Sequence, residues 1–387
     1  MKWINKGHEL DGMGNIIQST KNIYIFGAGN YGKMLFSLIH KDYSILGFLD
    51  NDLRKTEFCG LPVYDAKSLS VSISTNFIII VAAGSASCPS MVAQMEKLGY
   101  KCGVNLFTID LFFSLYGLFV KNKVFLPSIS FLPTTKCNLH CEACLNFSTY
   151  NSNQIHRSLS ELKRDLDLFF SCVDYILLVH ISGGEPMLYP QLKELLIYLS
   201  KTYGSKIGKI STTTNGTVLP SREICEVIHN YDIEVALDDY RSALSGVDKR
   251  FQEIEQRFKE MQVNYYVNCA DSWIDLAPMT TDHSTWNDQT LCNYFDACHV
   301  PFQELRDGKL YSCNYASYAI VAGLSEEAEE DTYDLKSFTS EFKAELVEFR
   351  LGYNNKGYTN FCKYCSGYVN INKNIVPVAK QKLNTNL

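Results

Sequence analysis

Apolar positions along the chain follow two rhythms. Asn22 to Phe26 reads as a short buried strand, and a helix of period near 3.6 follows through Met34, Leu35, Leu38 and Ile39. Ile45 to Leu49 and Phe77 to Val81 read as further strands. Strands alternating with helices predict a parallel sheet whose ligand loops lie at the carboxyl ends of the strands. The apolar stretch Leu106 to Val120 is interrupted by Thr108, Asp110 and Ser114 and falls short of a bilayer span, so a buried linker helix is expected there.

From about Val124 the rhythm restarts. Strands are expected at Ile129 to Leu132, Tyr175 to Ile181, Lys209 to Thr213, Glu234 to Leu237 and Tyr265 to Asn268. Helices through Leu159, Leu162, Leu166, Phe169 and Phe170, and over Gln191 to Lys201, Arg222 to His229 and Lys249 to Met261, fall between them. Such succession predicts an α/β fold with a full or partial parallel barrel, chemistry sitting at the strands' C-terminal ends. Past about Asp271 the rhythm ends and cysteines reappear. The expected segments are an N-terminal extension (1–20), a Rossmann-like domain (21–105), a linker helix (106–123), a barrel (124–270) and a small cysteine-rich extension (271–387).

Composition narrows the classes. At 387 residues the chain is too long for one ordinary core. With 36 Lys and Arg against 42 Asp and Glu it has a formal net charge of −6, which argues against a general electrostatic footprint for nucleic acid or an anionic membrane. The N-terminus lacks an apolar segment behind its first charges. Fourteen cysteines in a long, apolar-rich chain therefore point to a reducing cytoplasm, metal ligands and core positions rather than a disulfide framework. No nucleic-acid partner and no membrane insertion are expected.

Cys137-Asn138-Leu139-His140-Cys141-Glu142-Ala143-Cys144 places three thiols at C-x3-C-x2-C spacing directly after a predicted strand. Three thiolates can hold three irons of a cubane and leave the fourth open. Structural zinc, with His140 as a possible fourth ligand, or free thiols are the alternatives. Gly183-Gly184-Glu185-Pro186 ends the next strand, and Thr214-Asn215-Gly216 ends the one after. In this order the three motifs resemble the radical S-adenosylmethionine (radical SAM) superfamily. That resemblance implies a partial (β/α)6 barrel, an open-iron 4Fe-4S cluster on Cys137, Cys141 and Cys144, and S-adenosylmethionine held by Gly183, Gly184, Glu185, Pro186, Thr214 and Asn215. It also implies reductive cleavage of S-adenosylmethionine to a 5′-deoxyadenosyl radical, with a reducing protein such as flavodoxin or ferredoxin as partner.

Phe302 to Arg306 and Lys309 to Ser312 alternate around Asp307-Gly308, a hairpin signal that brings Cys298 and Cys313 towards its open end. Cys362-Lys363-Tyr364-Cys365 supplies another pair. The spacing resembles the twitch extension of some radical SAM enzymes, implying one auxiliary 4Fe-4S cluster on Cys298, Cys313, Cys362 and Cys365; four cysteines in two pairs would also suit zinc. The absence of any cysteine after Cys365 leaves the second auxiliary cluster of the larger SPASM extension unsupported. Cys292 is an ambiguous neighbour, and Cys59, Cys88, Cys102, Cys172, Cys225 and Cys269 read as core.

Gly27, Gly29 and Gly32 fit G-x-G-x-x-G between a strand and a helix, and Asp50-Asn51 ends the next strand, where a ribose-binding acid is expected. This segment is similar to the Rossmann-like front domains of bacterial sugar acetyltransferases and other glycan-pathway enzymes, implying a nucleotide or nucleotide-linked sugar as ligand. The expected function is radical chemistry on a sugar-like substrate, by oxidation, epimerisation or dehydration. The alternatives are a peptide-modifying radical SAM enzyme and a non-catalytic iron–sulfur redox sensor. Asp239, Arg241, Trp273 and Asp275, in loops after barrel strands, are the candidate substrate contacts or bases.

Overall fold

The computed structural model describes residues 1–69, 76–84, 87–298, 302–368 and 371–382. The chain divides into two compact units, one of Asn5–Pro127 with Lys343–Leu351, the other of Met1–Ile4, Ser128–Phe342 and Gly352–Leu387. Among the described residues no helix is long and apolar enough to cross a membrane.

The first unit runs α1 (Asp11–Ser19), β1 (Asn22–Phe26), α2 (Asn30–Ile39), β2 (Ser44–Asp50), β3 (Glu57–Phe58), β4 (Leu61–Asp65), β5 (Phe77–Val81), α3 (Cys88–Lys97), β6 (Leu106–Thr108) and α4 (Ile109–Leu115). Its sheet has the order β3-β4-β2-β1-β5-β6, parallel except for β3. Ile23, Ile25, Phe26, Leu49, Ile79 and Val81 are fully buried on its central strands. Leu106 to Thr108 belongs to this sheet, pairing with β5, so the apolar stretch expected to be a linker helix begins as a strand. The helix Lys343–Arg350 also belongs here: its buried Glu348 accepts the backbone N–H groups of Gly7 (2.7 Å) and Glu9 (2.8 Å). Burial of a carboxylate is tolerated when donors satisfy it, and these donors lie in the segment before α1. The 271–387 segment is therefore shared between the units, and 5–20 is part of a packed body.

The second unit begins within β7 (Phe125–Phe131) at Ser128 and continues through α5 (Leu159–Cys172), β8 (Tyr175–Ile181), α6 (Leu192–Tyr203), β9 (Ile207–Thr214), α7 (Arg222–Asn230), β10 (Glu234–Asp238), α8 (Asp248–Glu260) and β11 (Tyr265–Asn268). β12 (Ser272–Ile274), α9 (Asp288–Ala297), β13 (Glu304–Arg306), β14 (Lys309–Tyr311), α10 (Asn314–Val321), β15 (Thr332–Asp334) and β16 (Ile375–Pro377) complete it. β7 to β11 lie side by side in chain order. α5 starts on a capping box, Ser158 and Glu161 satisfying each other's backbone N–H groups.

Among the described residues β11 ends the run of parallel strands, as the loss of rhythm past Asp271 leads one to expect. β12 pairs antiparallel with β16 instead. The predicted hairpin β13–β14 joins the opposite edge of the sheet, β13 running parallel to β7 in register Glu304↔Ser130 and Leu305↔Phe131. The edge of β7 offers unpaired backbone groups, and Ser130 N–H is satisfied by Gln303 O at 2.7 Å. Asp307 (φ 54°) and Gly308 (φ 76°) form the tight turn, in the left-handed region that an Asp-Gly pair accommodates.

Of the six cysteines read as core, only Cys172 and Cys225 are buried. Cys102 and Cys269 are exposed, and Cys59 lies at φ 53° in the β3–β4 turn, because these positions end elements rather than fill them.

Candidate functional site

The cysteine loop leaves the C-terminal end of β7 and is wedged against the loop after β8. Gly184 N–H donates to Thr134 O (3.0 Å) and Glu185 N–H to Lys136 O (2.8 Å), so the two loops extend the strand pairing by two rungs. A Cβ on Gly184 would lie 2.2 Å from Lys136 O, and one on Gly183 would lie 3.0 Å from Thr134 O. Only glycine lets the loops approach this closely.

Glu185 is 1% exposed and faces inward. Its carboxylate accepts from Met187 N–H (3.0 Å), Thr214 Oγ1–H (2.9 Å) and Asn215 N–H (2.8 Å), so it ties the turn after β8 to the turn after β9. Burial pushes it up to about 7, against the pull of these donors. Asn215 Nδ2 then reaches Asn138 Oδ1 (3.0 Å) and lies 3.8 Å from Cys137 Sγ. Loops from three successive strands thus lock together around the thiols. All three sequence motifs meet here, although Glu185 spends its carboxylate on the protein itself.

The thiols interact electrostatically: Cys137 and Cys141 are both raised by Cys144, after burial as the main cause, to about 12 and about 11. Leu139 N–H donates to Cys137 Sγ (3.4 Å) and Gln381 Nε2–H to Cys141 Sγ (3.2 Å). Three thiols on one loop, with N–H donors aimed at sulfur, form a donor set suited to an iron–sulfur cluster carrying one open iron. His140 is exposed, its backbone N–H bonded to Gln381 Oε1 (2.8 Å).

The candidates beyond the thiols separate. Asp239 is held by Arg241 through Nε (2.9 Å) and Nη2 (2.7 Å), and those bonds keep its carboxyl below the usual range. The Arg241 guanidinium in turn lies 4.2 Å over the Phe251 ring, so this pair is self-satisfied. Trp273 packs in the cluster of Cys141, Cys144 and Tyr240, edge-on to the Tyr240 ring at 5.4 Å. Asp275 caps its own turn, accepting from Ala277 N–H at 2.8 Å. Tyr240 lies in the same candidate segment, Asp238 to Arg241: its hydroxyl donates to buried Asp238 (2.6 Å), which Asn268 also holds (2.7 Å), while its ring packs with the thiols. A further buried polar group lines the sheet near the β7 edge: Ser130 Oγ meets Tyr318 OH (2.6 Å), His180 Nδ1 meets Ser211 Oγ (2.9 Å), and Glu304 is 0% exposed.

Cys298, Cys313, Cys362 and Cys365 come together from three separate segments. Cys313 is raised well above its ordinary value by burial and then by Cys298, Cys362 and Cys365. Tyr368 N–H donates to Cys298 Sγ (3.3 Å) and Gly367 N–H to Cys365 Sγ (3.3 Å). Leu132, Phe147, Leu291, Phe295, Tyr315 and Phe361 shield the group. Cys313, Cys362 and Cys365 are buried and Cys298 is half-buried, and four thiols brought together in this way form a donor set suited to a metal cluster. Cys292 stands apart, its Sγ against Lys356 O at 3.0 Å. Among the described residues no three His, Cys, Asp or Glu side chains converge to hold a single metal ion.

In the first unit, Gly27 (φ 123°) makes the turn after β1, and a Cβ on Gly32 would lie 2.0 Å from Gly27 O, so these two serve the packing of α2 on β1. Gly29 has open space above it. Asp50 is already engaged, accepting from Ala28 N–H (2.9 Å) and Lys55 Nζ (2.8 Å); burial opposes its ionisation but these partners hold it below the usual range. Asn51 exchanges amide bonds with Gln94 and lines a cavity of about 260 Å³ with Leu53, Asp65, Lys67 and Gln94.

Residues 22–94 match the family model of the PglD N-terminal domain. The chain is 32% identical over 127 residues to GTP 3′,8-cyclase 1 of Mycobacterium tuberculosis, covering 32% of this chain and 33% of that protein. It is 30% identical over 114 residues to the antilisterial bacteriocin subtilosin biosynthesis protein AlbA of Bacillus subtilis, covering 28% of this chain and 23% of that protein. The chain thus spans at most about a third of the length of these curated relatives. Among solved structures it is similar to native anSMEcpe with bound AdoMet at 14% identity and a TM-score of 0.41, over 60% of this chain and 82% of that one. The family model described as the Radical SAM superfamily, whose members use a 4Fe-4S cluster and S-adenosylmethionine, matches residues 131–263, about a third of this chain.

Proposed function

We propose that the protein is a radical SAM enzyme with an auxiliary iron–sulfur cluster, acting on a sugar-like or nucleotide-linked sugar substrate. The observation that carries the radical reading is the lock between three loops: Gly184 against the cysteine loop, Glu185 on Thr214 and Asn215, and Asn215 beside Cys137. Cys137, Cys141 and Cys144 would hold the open-iron cluster. The backbone of Gly183, Gly184 and Pro186, with Thr214 and Asn215, would hold S-adenosylmethionine, and Glu185 fixes those turns from behind. When bound, cluster and S-adenosylmethionine supply a carbon radical that removes a hydrogen atom from substrate. The chain's task is to orient the target carbon and exclude water, and Tyr240 and Trp273 supply an apolar wall beside the thiols.

Cys298, Cys313, Cys362 and Cys365 would hold the auxiliary cluster, fully ligated by protein and suited to accepting an electron or shaping the pocket. The sugar reading is supported by the likeness of residues 22–94 to the PglD N-terminal domain, with Gly27, Gly29, Gly32, Asp50 and Asn51 as the proposed nucleotide-side positions. Of these, Gly29 and Asn51 adjoin free space, whereas Asp50 would have to release Lys55 to accept a ribose. The likeness to a bacteriocin biosynthesis protein favours a peptide as the second reading.

Anaerobic reconstitution is expected to give about eight irons per chain. Dithionite with S-adenosylmethionine should then yield 5′-deoxyadenosine, and its absence from iron-replete protein refutes the radical reading. Titration of the full chain with nucleotide sugars and with peptides separates the two substrate classes.

A further inference from the structure

The last described residues return to the cysteine loop. After β16 pairs with β12 in register Trp273↔Val376, the chain passes Val378 and Ala379, which are 4% and 0% exposed and pack on Cys141. Gln381 then forms an antiparallel bridge with Cys141. Glu142 N–H donates to Lys380 O (2.8 Å) and Lys382 N–H to His140 O (2.7 Å), and Lys380 pairs with Glu142 at 2.8 Å. The tail is therefore a short strand laid along the thiol loop.

The Gln381 amide has only one satisfactory orientation. Its Oε1 accepts from His140 N–H (2.8 Å), while its Nε2 donates to Ala379 O (2.6 Å) and to Cys141 Sγ (3.2 Å). Turning the amide over would set oxygen against the Ala379 carbonyl and leave a backbone N–H facing nitrogen. At 3.2 Å this contact is shorter than those of Leu139 N–H (3.4 Å) and Asn215 Nδ2 (3.8 Å) to Cys137. Ala379 adopts φ 49°, a conformation unfavourable for a residue with a Cβ, which persists where surrounding contacts over-determine it.

We propose that Gln381 is a positioning residue for the cluster on Cys137, Cys141 and Cys144, directing an N–H from the C-terminal tail onto the Cys141 sulfur and so favouring the reduced cluster. This rests on the cluster reading above. Hydrogen bonds to ligating sulfur withdraw negative charge, which matters most after the cluster has gained an electron.

The test uses the full reconstituted chain and the electron paramagnetic resonance signal that changes on adding S-adenosylmethionine, which singles out an open-iron cluster. Gln381→Leu removes both amide functions. Gln381→Glu keeps the acceptor for His140 and replaces the donor with a carboxylate oxygen, whose charge adds to the loss, so Gln381→Leu reports the hydrogen bond alone. At a solution potential that half-reduces the parent cluster, either folded, iron-replete variant is expected to show roughly a threefold lower reduced-to-oxidised ratio. An unchanged ratio overturns the inference, and Gln381→Glu decides if Gln381→Leu does not fold. A parent with no signal responsive to S-adenosylmethionine instead refutes the underlying cluster reading.

Discussion

The two thiol groups of the second unit solve one problem in opposite ways. Cys137, Cys141 and Cys144 lie within eight residues on one loop, and neighbouring loops hold that loop in place. Cys298, Cys313, Cys362 and Cys365 are contributed by the end of α9, the end of the β13–β14 hairpin and a turn near residue 362, and Cys313, Cys362 and Cys365 sit in a shared apolar shell. A local set is placed by its loop. A dispersed set is placed by the fold, and binding a cluster there would in turn cross-link the fold.

The largest expected contrast follows from that difference. Cys362→Ala with Cys365→Ala should remove about four irons and destabilise the iron-free protein by roughly 2 kcal/mol or more, because both side chains are buried in the shell. Cys137→Ala with Cys144→Ala should also remove about four irons but leave the iron-free melting temperature nearly unchanged, since both positions are only half-buried. Equal destabilisation by the two pairs would break the comparison. Iron analysis and thermal melts read both quantities.

A middle-sized effect belongs to Gly184→Ala. The added methyl would meet the Lys136 carbonyl at 2.2 Å, a backbone group with little room to yield. The expected cost is about 1–3 kcal/mol, with the cysteine loop displaced and the signal responsive to S-adenosylmethionine lost, while the dispersed set keeps its iron. Retention of that signal would show the loops are less tightly coupled than their hydrogen bonds indicate.

The smallest is a pH effect near the β7 edge. Burial pushes Glu304 up to about 7 from its ordinary 4.5, opposed by Arg306, Ser317 and Arg157 and aided by Asp307. Between these values the folded chain keeps a proton that the unfolded chain releases. The stabilisation is therefore complete below about pH 4.5 and is lost as pH rises through 7. Glu304→Gln should flatten the decline in melting temperature between pH 5 and 8, by an amount equivalent to at most roughly 3 kcal/mol. An unaltered slope would show that Glu304 is ionised throughout.

What the sequence made legible follows the same division between local and dispersed. Strands with clear apolar runs, such as Tyr175–Ile181, and the Asp307-Gly308 turn stand where their patterns place them, because each is set by neighbours a few residues away. The parallel pairing of β13 with β7 was not legible, since an open sheet edge leaves no mark on either strand's own sequence. The return of the tail was not read either, although the apolar run Ile375 to Ala379 could have flagged it. Within the segment Asp238 to Arg241 the pattern marks the stretch but not the residue: Asp239 and Arg241 satisfy each other, and Tyr240 is the one that packs with the thiols.

The shared ownership of the chain's later residues bears on how such a gene could arise. The polypeptide passes between the two units after Ile4, Pro127, Phe342 and Leu351, and Glu348 anchors the strand of chain that opens the first unit. A front domain acquired by simple head-to-tail fusion would need no helix borrowed from beyond its own end. Here, recombination at a single boundary would strand Glu348 on one parent and its donors on the other, so the two halves are expected to be inherited together, and chimeras joined near residue 124 should express poorly unless residues 343–351 travel with the front segment.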